Sequence, residues 1–125
     1  MRPMAETIVT PGQVERRLRQ LSDELDDSHK DLVEAENNYA TVKAEYEIAL
    51  AKARISLASK STPSGKNYTV QEREDMALVE NQDLHREMGA ADAIVRASRA
   101  NAVRVKTQID LARSLGTSVR AGFDL

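Results

Sequence analysis

The sequence predicts an all-α fold: a long antiparallel helical hairpin, coiled-coil-like, assembled into an oligomeric bundle or ring. Three observations predict it. Apolar and small residues recur at alternating spacings of four and three over two long stretches. A single mid-chain segment is made of turn formers, helix breakers and charged residues. Aromatic residues are only 3% of the 125 (Tyr39, Tyr46, Tyr68 and Phe123, with no Trp), too few bulky groups for a sandwich or barrel.

Residues 1–10 carry no periodicity and are expected to form a flexible arm ahead of a single helical-hairpin domain over 11–125. The first helix is expected over about 11–58. Thr10 suits an N-cap, and Pro11 suits the first helical position, where its missing N–H costs nothing. Its seam begins Val14, Leu18, Leu21, Leu25, Ser28 and Leu32. It continues Ala35, Tyr39, Val42, Tyr46, Ala49 and Ala53. The turn, about 59–69, contains Ser59, Lys60, Pro63, Gly65 and Lys66. Thr69 stands three residues before Glu72, the spacing of a capping box.

The second helix is expected over about 70–115, with Gly116 as its C-terminal stop. The tail, 116–125, either extends the helix or docks elsewhere. The second seam runs Leu84, Met88, Ala91, Val95 and Ser98, then Ala102, Val105, Ile109 and Ala112. Gly89 interrupts it at a cost of about 1 kcal/mol relative to Ala, and marks a place for a bend or a close helix approach. Two helices of similar length joined by a short turn make an αα-hairpin. With the turn centred near residue 64, position i faces about 128 minus i. Ile48, Leu50 and Leu57 lie off the first seam, and Ile94, Val103, Leu111 and Leu115 lie off the second. They widen the apolar stripe beyond a two-stranded seam, so a homo-oligomer is expected.

The formal net charge of −2 conceals an asymmetry. Gln20–Glu36 holds seven acids and Lys30, a net of −6, whereas Ala93–Phe123 holds six bases and Asp110, a net of +5. Facing each other, these stretches are expected to set the antiparallel register. That pairing does not absorb Arg99, Lys106, Arg113 and Arg120, which recur every seven residues. They form one row with a spacing of about 10 Å, opposite His29, Ser22, Glu15 and the arm. Such a row tracks a phosphate backbone or pairs with acids of a neighbouring subunit. A second basic group, Lys52, Arg54, Lys60 and Lys66, surrounds the turn, where it either contacts nucleic acid or complements the helix dipole.

No catalytic motif is present, so no enzyme activity and no cofactor are expected. There is no Cys, and His29 and His85 are far apart, which removes thiolate chemistry and argues against a zinc site. The start, Met-Arg-Pro-Met, lacks an apolar signal region, and no 18-residue apolar run occurs. A soluble, cytoplasmic protein without membrane contact is expected. Tyr68, at the turn, is the one aromatic placed to stack on a base.

The run Glu45-Tyr46-Glu47-Ile48-Ala49-Leu50-Ala51-Lys52-Ala53-Arg54-Ile55, followed by a polar glycine loop and a second helix, resembles the bacteriophage UvsY-type recombination mediators. The likeness spans about residues 40–123. The closing Ser114-Leu115-Gly116-Thr117-Ser118-Val119-Arg120-Ala121 is similar to small helical phage proteins more broadly. The resemblance implies single-stranded DNA binding at Lys52 and Arg54, a ring-like oligomer, a recombinase partner and a location in the host cytoplasm. The aromatic residues of the mediator's second helix have no counterpart here. Lys52 and Arg54 point about 200° apart on an ideal helix, so each needs neighbours from elsewhere to form a patch.

Two functions follow as expectations. One is a phage-type recombination accessory protein that binds single-stranded DNA non-specifically and assists a recombinase. Its candidate contacts are Lys52, Arg54, Lys60, Lys66, Arg99, Lys106, Arg113 and Arg120. The other is a coiled-coil structural or adaptor protein with no nucleic-acid role.

Overall fold

The computed structural model describes residues 9–123. It is all-α: α1 is Pro11–Ala58, α2 is Val70–Glu80 and α3 is Gln82–Phe123. Most of the expected arm, residues 1–8, lies outside the described residues, as do Asp124 and Leu125 of the tail.

Helix α1 starts where Pro11 predicts. The Thr10 side chain accepts the Gln13 backbone N–H (3.2 Å), and the Gln13 side chain accepts the Thr10 N–H (2.9 Å). This reciprocal box satisfies two backbone donors that the helix itself leaves open. At α2 the expected box is present: Glu72 N–H to Thr69 Oγ1 and Thr69 N–H to Glu72 Oε1, both 3.1 Å. In the turn between α1 and α2, Thr62 N–H reaches Lys66 O at 2.7 Å and Gly65 N–H reaches Thr62 O at 2.9 Å. Gly65 has φ +84°, a left-handed conformation that suits glycine. A three-residue loop closed by a left-handed glycine is a standard way to reverse the chain.

Two boundaries differ from expectation. The second helical stretch is interrupted at Asn81, which has φ −110° and ψ 24°. Its backbone N–H is shared between Ala77 O and Leu78 O, while its side-chain Nδ2 also donates to Ala77 O at 2.9 Å. An Asn side chain that competes for backbone carbonyls loosens the regular ladder. The interruption falls at Asn81 and not at Gly89, where an added Cβ would meet nothing within 4 Å. The second difference is at Gly116, which is no stop, since α3 runs on to Phe123. Gly116 is buried, and a Cβ there would lie 3.0 Å from Val14 Cγ1. Its role is close packing, not chain termination.

The described residues divide into two compact units: unit 1 comprises 9–32 with 97–123, and unit 2 comprises 33–96. In unit 1, Leu21, Val105 and Ile109 form the core, flanked by Leu18, Leu25 and Ala112. Val14 lies against Gly116, and Asn101 Nδ2 donates to Ser28 Oγ at 2.9 Å. The contacting positions run in opposite directions along α1 and α3, with i facing about 129 to 130 minus i, one or two residues beyond the expected register. In unit 2, Ala53, Leu57 and Ala77 form the core with Leu50 against it, and Tyr46 meets His85 edge-on at 5.5 Å between ring centroids.

Every residue assigned to the two seams is buried or half-buried. The assignment was too short, however. Leu57, expected off the seam, is buried against Ala53 and Ala77. On the other stretch the buried row extends to Ala77 before Leu84 and to Gly116 after Ala112. Near the turn the spacing becomes four-four: Ala49, Ala53, Leu57 on α1, and Arg73, Ala77, Asn81 on the facing stretch. Added residues of this kind unwind a heptad supercoil locally, which a strict heptad template does not follow.

Candidate nucleic-acid interface

The eight candidate cations are all solvent-exposed and fall into two sets. Lys52, Arg54, Lys60 and Lys66 belong to unit 2, whereas Arg99, Lys106, Arg113 and Arg120 belong to unit 1. Among the described residues the ion pairs are Arg17–Glu24 (3.9 Å), Arg86–Asp83 (3.4 Å) and Arg96–Asp92 (3.4 Å). None includes a candidate cation, and each joins residues of one helix. The facing acidic and basic stretches therefore do not set the register through close ion pairs among the described residues.

A polar link crosses the unit 1 seam instead. Ser28, only 3% exposed, donates to Glu24 O at 2.8 Å and accepts from Asn101 Nδ2. Asn101 Oδ1 in turn accepts from Arg104 Nη2 at 2.9 Å. A shifted register would part Asn101 from Ser28, whose own O–H still reaches Glu24 O, so the link favours this alignment by about the worth of one hydrogen bond, ~1 kcal/mol.

Lys106 and Arg113 line one hollow of about 410 Å³ in unit 1. Its floor is Leu18, Leu25 and Ile109; Arg19, Ser22 and Asp110 complete the rim. Ser22 was the expected counterpart of Lys106, and it is there. Arg19 was not among the candidates. Its signal in the sequence is the basic cluster Arg16-Arg17-Leu18-Arg19, which precedes the acidic stretch. Arg120 occupies a smaller hollow with Val14, Glu15 and Gly116, and its Nε donates to Gly116 O at 3.3 Å. Glu15, expected opposite Arg113, thus shares a hollow with Arg120, one heptad further on. Arg99 lines neither hollow.

In unit 2, Arg54 borders a mixed hollow with Ile55, Ala58, Val70, Arg73 and Glu74. Lys52 is not part of it, in keeping with the two side chains leaving α1 in different directions. Lys60 and Lys66 lie in the turn, where the Lys66 carbonyl closes the loop. Tyr68 is half-buried, so its ring offers a reduced face for stacking. On the other flank of α2, Leu57, Met76 and Val79 form an apolar hollow of about 400 Å³ edged by Asp75 and Glu80. Met76 and Val79 do not follow the heptad spacing, so no sequence pattern joins them to Leu57.

Among the described residues no cluster of three or more His, Asp or Glu side chains is arranged to hold a metal, and no helix is long and apolar enough to cross a membrane. No protein-family model matches the chain, nor does a curated protein or a solved structure.

Proposed function

We propose that the chain is a non-enzymatic accessory protein of recombination, a long helical hairpin that assembles into a homo-oligomer and binds single-stranded DNA through backbone phosphates in the cytoplasm. The observation that carries this reading is the set of exposed cations with no carboxylate partner among the described residues, above all Lys106 and Arg113 on one hollow. Cations already paired within the chain gain little from a phosphate, whereas unpaired ones release condensed counterions from the strand. Lys52, Arg54, Lys60, Lys66, Arg99 and Arg120 add further contacts, and several subunits on one strand multiply a modest affinity per chain. The likeness of residues 45–55 to the phage mediators supports the same reading and points to a recombinase as protein partner.

Fluorescence anisotropy with labelled oligo-dT across a salt series tests it. Affinity is expected to fall steeply with salt, about 0.7 log units per log unit for each phosphate neutralised on a single strand. Lys106→Ala with Arg113→Ala lowers both the affinity and the salt slope. No binding at low salt overturns the proposal.

A coiled-coil structural or adaptor protein is the second reading. The exposed apolar hollow of Leu57, Met76 and Val79 favours it, because such surface on a small chain marks a protein contact. Light scattering on a sizing column separates the outcomes. A concentration-independent monomer that binds no DNA supports an adaptor for another protein; an oligomer that binds DNA supports the first reading.

A further inference from the structure

We infer that the unit 1 hollow is a discrete site for a phosphate-bearing nucleotide, and not merely one stretch of a cationic row. The inference deepens the strand-binding reading and rests on it for the biological ligand, but the site is defined by its own chemistry. Three cations, Arg19 from α1 and Lys106 and Arg113 from α3, border a floor made of Leu18, Leu25 and Ile109. Leu18, Leu25 and Ile109 belong to the unit 1 seam, so the cations stand beside a partly uncovered edge of the core. The volume of about 410 Å³ lies in the range of small-molecule sites.

The composition selects a ligand with two unlike ends. Arg19 and Arg113 carry guanidinium forks suited to two phosphate oxygens at once, and Lys106 adds a point charge. Ser22 supplies a hydroxyl donor on the same rim. The aliphatic floor accepts the face of a sugar or base, which is uncovered in a single strand or free nucleotide and stacked away in a duplex. Asp110 lies between Lys106 and Arg113 along α3 without a close ion pair to either among the described residues. It leaves three positive charges against one negative charge on the rim, and it accepts a base N–H or sugar O–H. Inorganic phosphate, with no sugar or base to lie on the aliphatic floor, is thus a poorer ligand than a nucleotide.

The test is amide NMR on the full chain, titrated separately with dTMP, inorganic phosphate and oligo-dT. Expected are shifts centred on Leu18, Ser22, Leu25 and Ile109 with dTMP and oligo-dT, and smaller shifts with phosphate at equal concentration. Arg19→Ala with Arg113→Ala is expected to weaken dTMP binding about tenfold or more. Asp110→Asn is expected to tighten phosphate binding severalfold, a gain that a purely structural carboxylate would not produce. Circular dichroism confirms that both variants keep their helices. Oligo-dT binding that moves the amides near Lys52 and Arg54 but leaves the hollow unchanged overturns the site and leaves the broader function standing. Binding of dTMP in the hollow without oligo-dT binding sustains the site and overturns the strand reading. Unchanged affinity in the double arginine variant overturns the site.

Discussion

Unit 1 and unit 2 use the same helical periodicity to make different surfaces. Unit 1 fills its seam with branched aliphatics, Leu21, Val105 and Ile109, and pins the alignment with Ser28 and Asn101. Unit 2 buries Val42, Tyr46, Leu57 and Val95 together with Ala35, Ala53, Ala77 and Ala91, and Ala77 is fully buried. Small seam residues bring helix backbones close but cover little apolar surface per layer. The consequence appears outside. Among the described residues, eight large apolar side chains are exposed in unit 2, including Ile48 (55%), Ile55 (73%), Val70 (62%) and Val79 (66%), against four in unit 1. Both units carry charge along their outer faces, so the difference between them lies in the exposed apolar groups of unit 2.

Substitutions sharpen or break this contrast, beginning with the largest effect. Leu21→Ala removes a fully buried branched side chain from unit 1 and is expected to cost about 3 kcal/mol, read from urea unfolding. Ala77→Leu overfills the tightest point of unit 2 and is expected to cost about 1–3 kcal/mol. If Ala77→Leu is neutral, the unit 2 seam is not close-packed and the contrast fails. Asn101→Ala removes the donor to buried Ser28 and is expected to cost about 1 kcal/mol, with loss of amide protection confined at first to residues near Ser28 in hydrogen exchange. Thr69→Ala deletes the α2 cap for about 1 kcal/mol.

The smallest effects come from a pair of glycines. Gly89→Ala meets open space and is expected to stabilise by about 0.5–1 kcal/mol. The same change at Gly116 gains the same helix propensity but presses a Cβ against Val14, so thermal melting is expected to show no gain or a slight loss. Equal gains at both sites would remove close packing as the reason for Gly116.

Much of the fold was legible because it depends on short-range rules. The seam residues from Val14 to Ala53 and from Leu84 to Ala112 follow from spacing alone, and the Thr69–Glu72 box follows from two residue types at one separation. Leu57 and Ala77 escaped because the period changes near the turn, and a heptad template cannot announce its own interruption. The candidate site was half legible. Lys106 and Arg113 stood out as a row, but Arg19 lies on the other helix, nearly ninety positions away in sequence, and nothing local joins it to them.

By itself the sequence determined the helices, their seams and their caps, since backbone geometry and apolar periodicity are properties of neighbours a few residues apart. Only the tertiary structure decided that Gly116 is a packing contact, that Ser28 and Asn101 meet across the unit 1 seam, and that Arg19, Lys106 and Arg113 share one hollow. Those facts depend on a register shift of one or two residues between segments distant in sequence. Such a shift leaves every local pattern unchanged and alters which side chains meet.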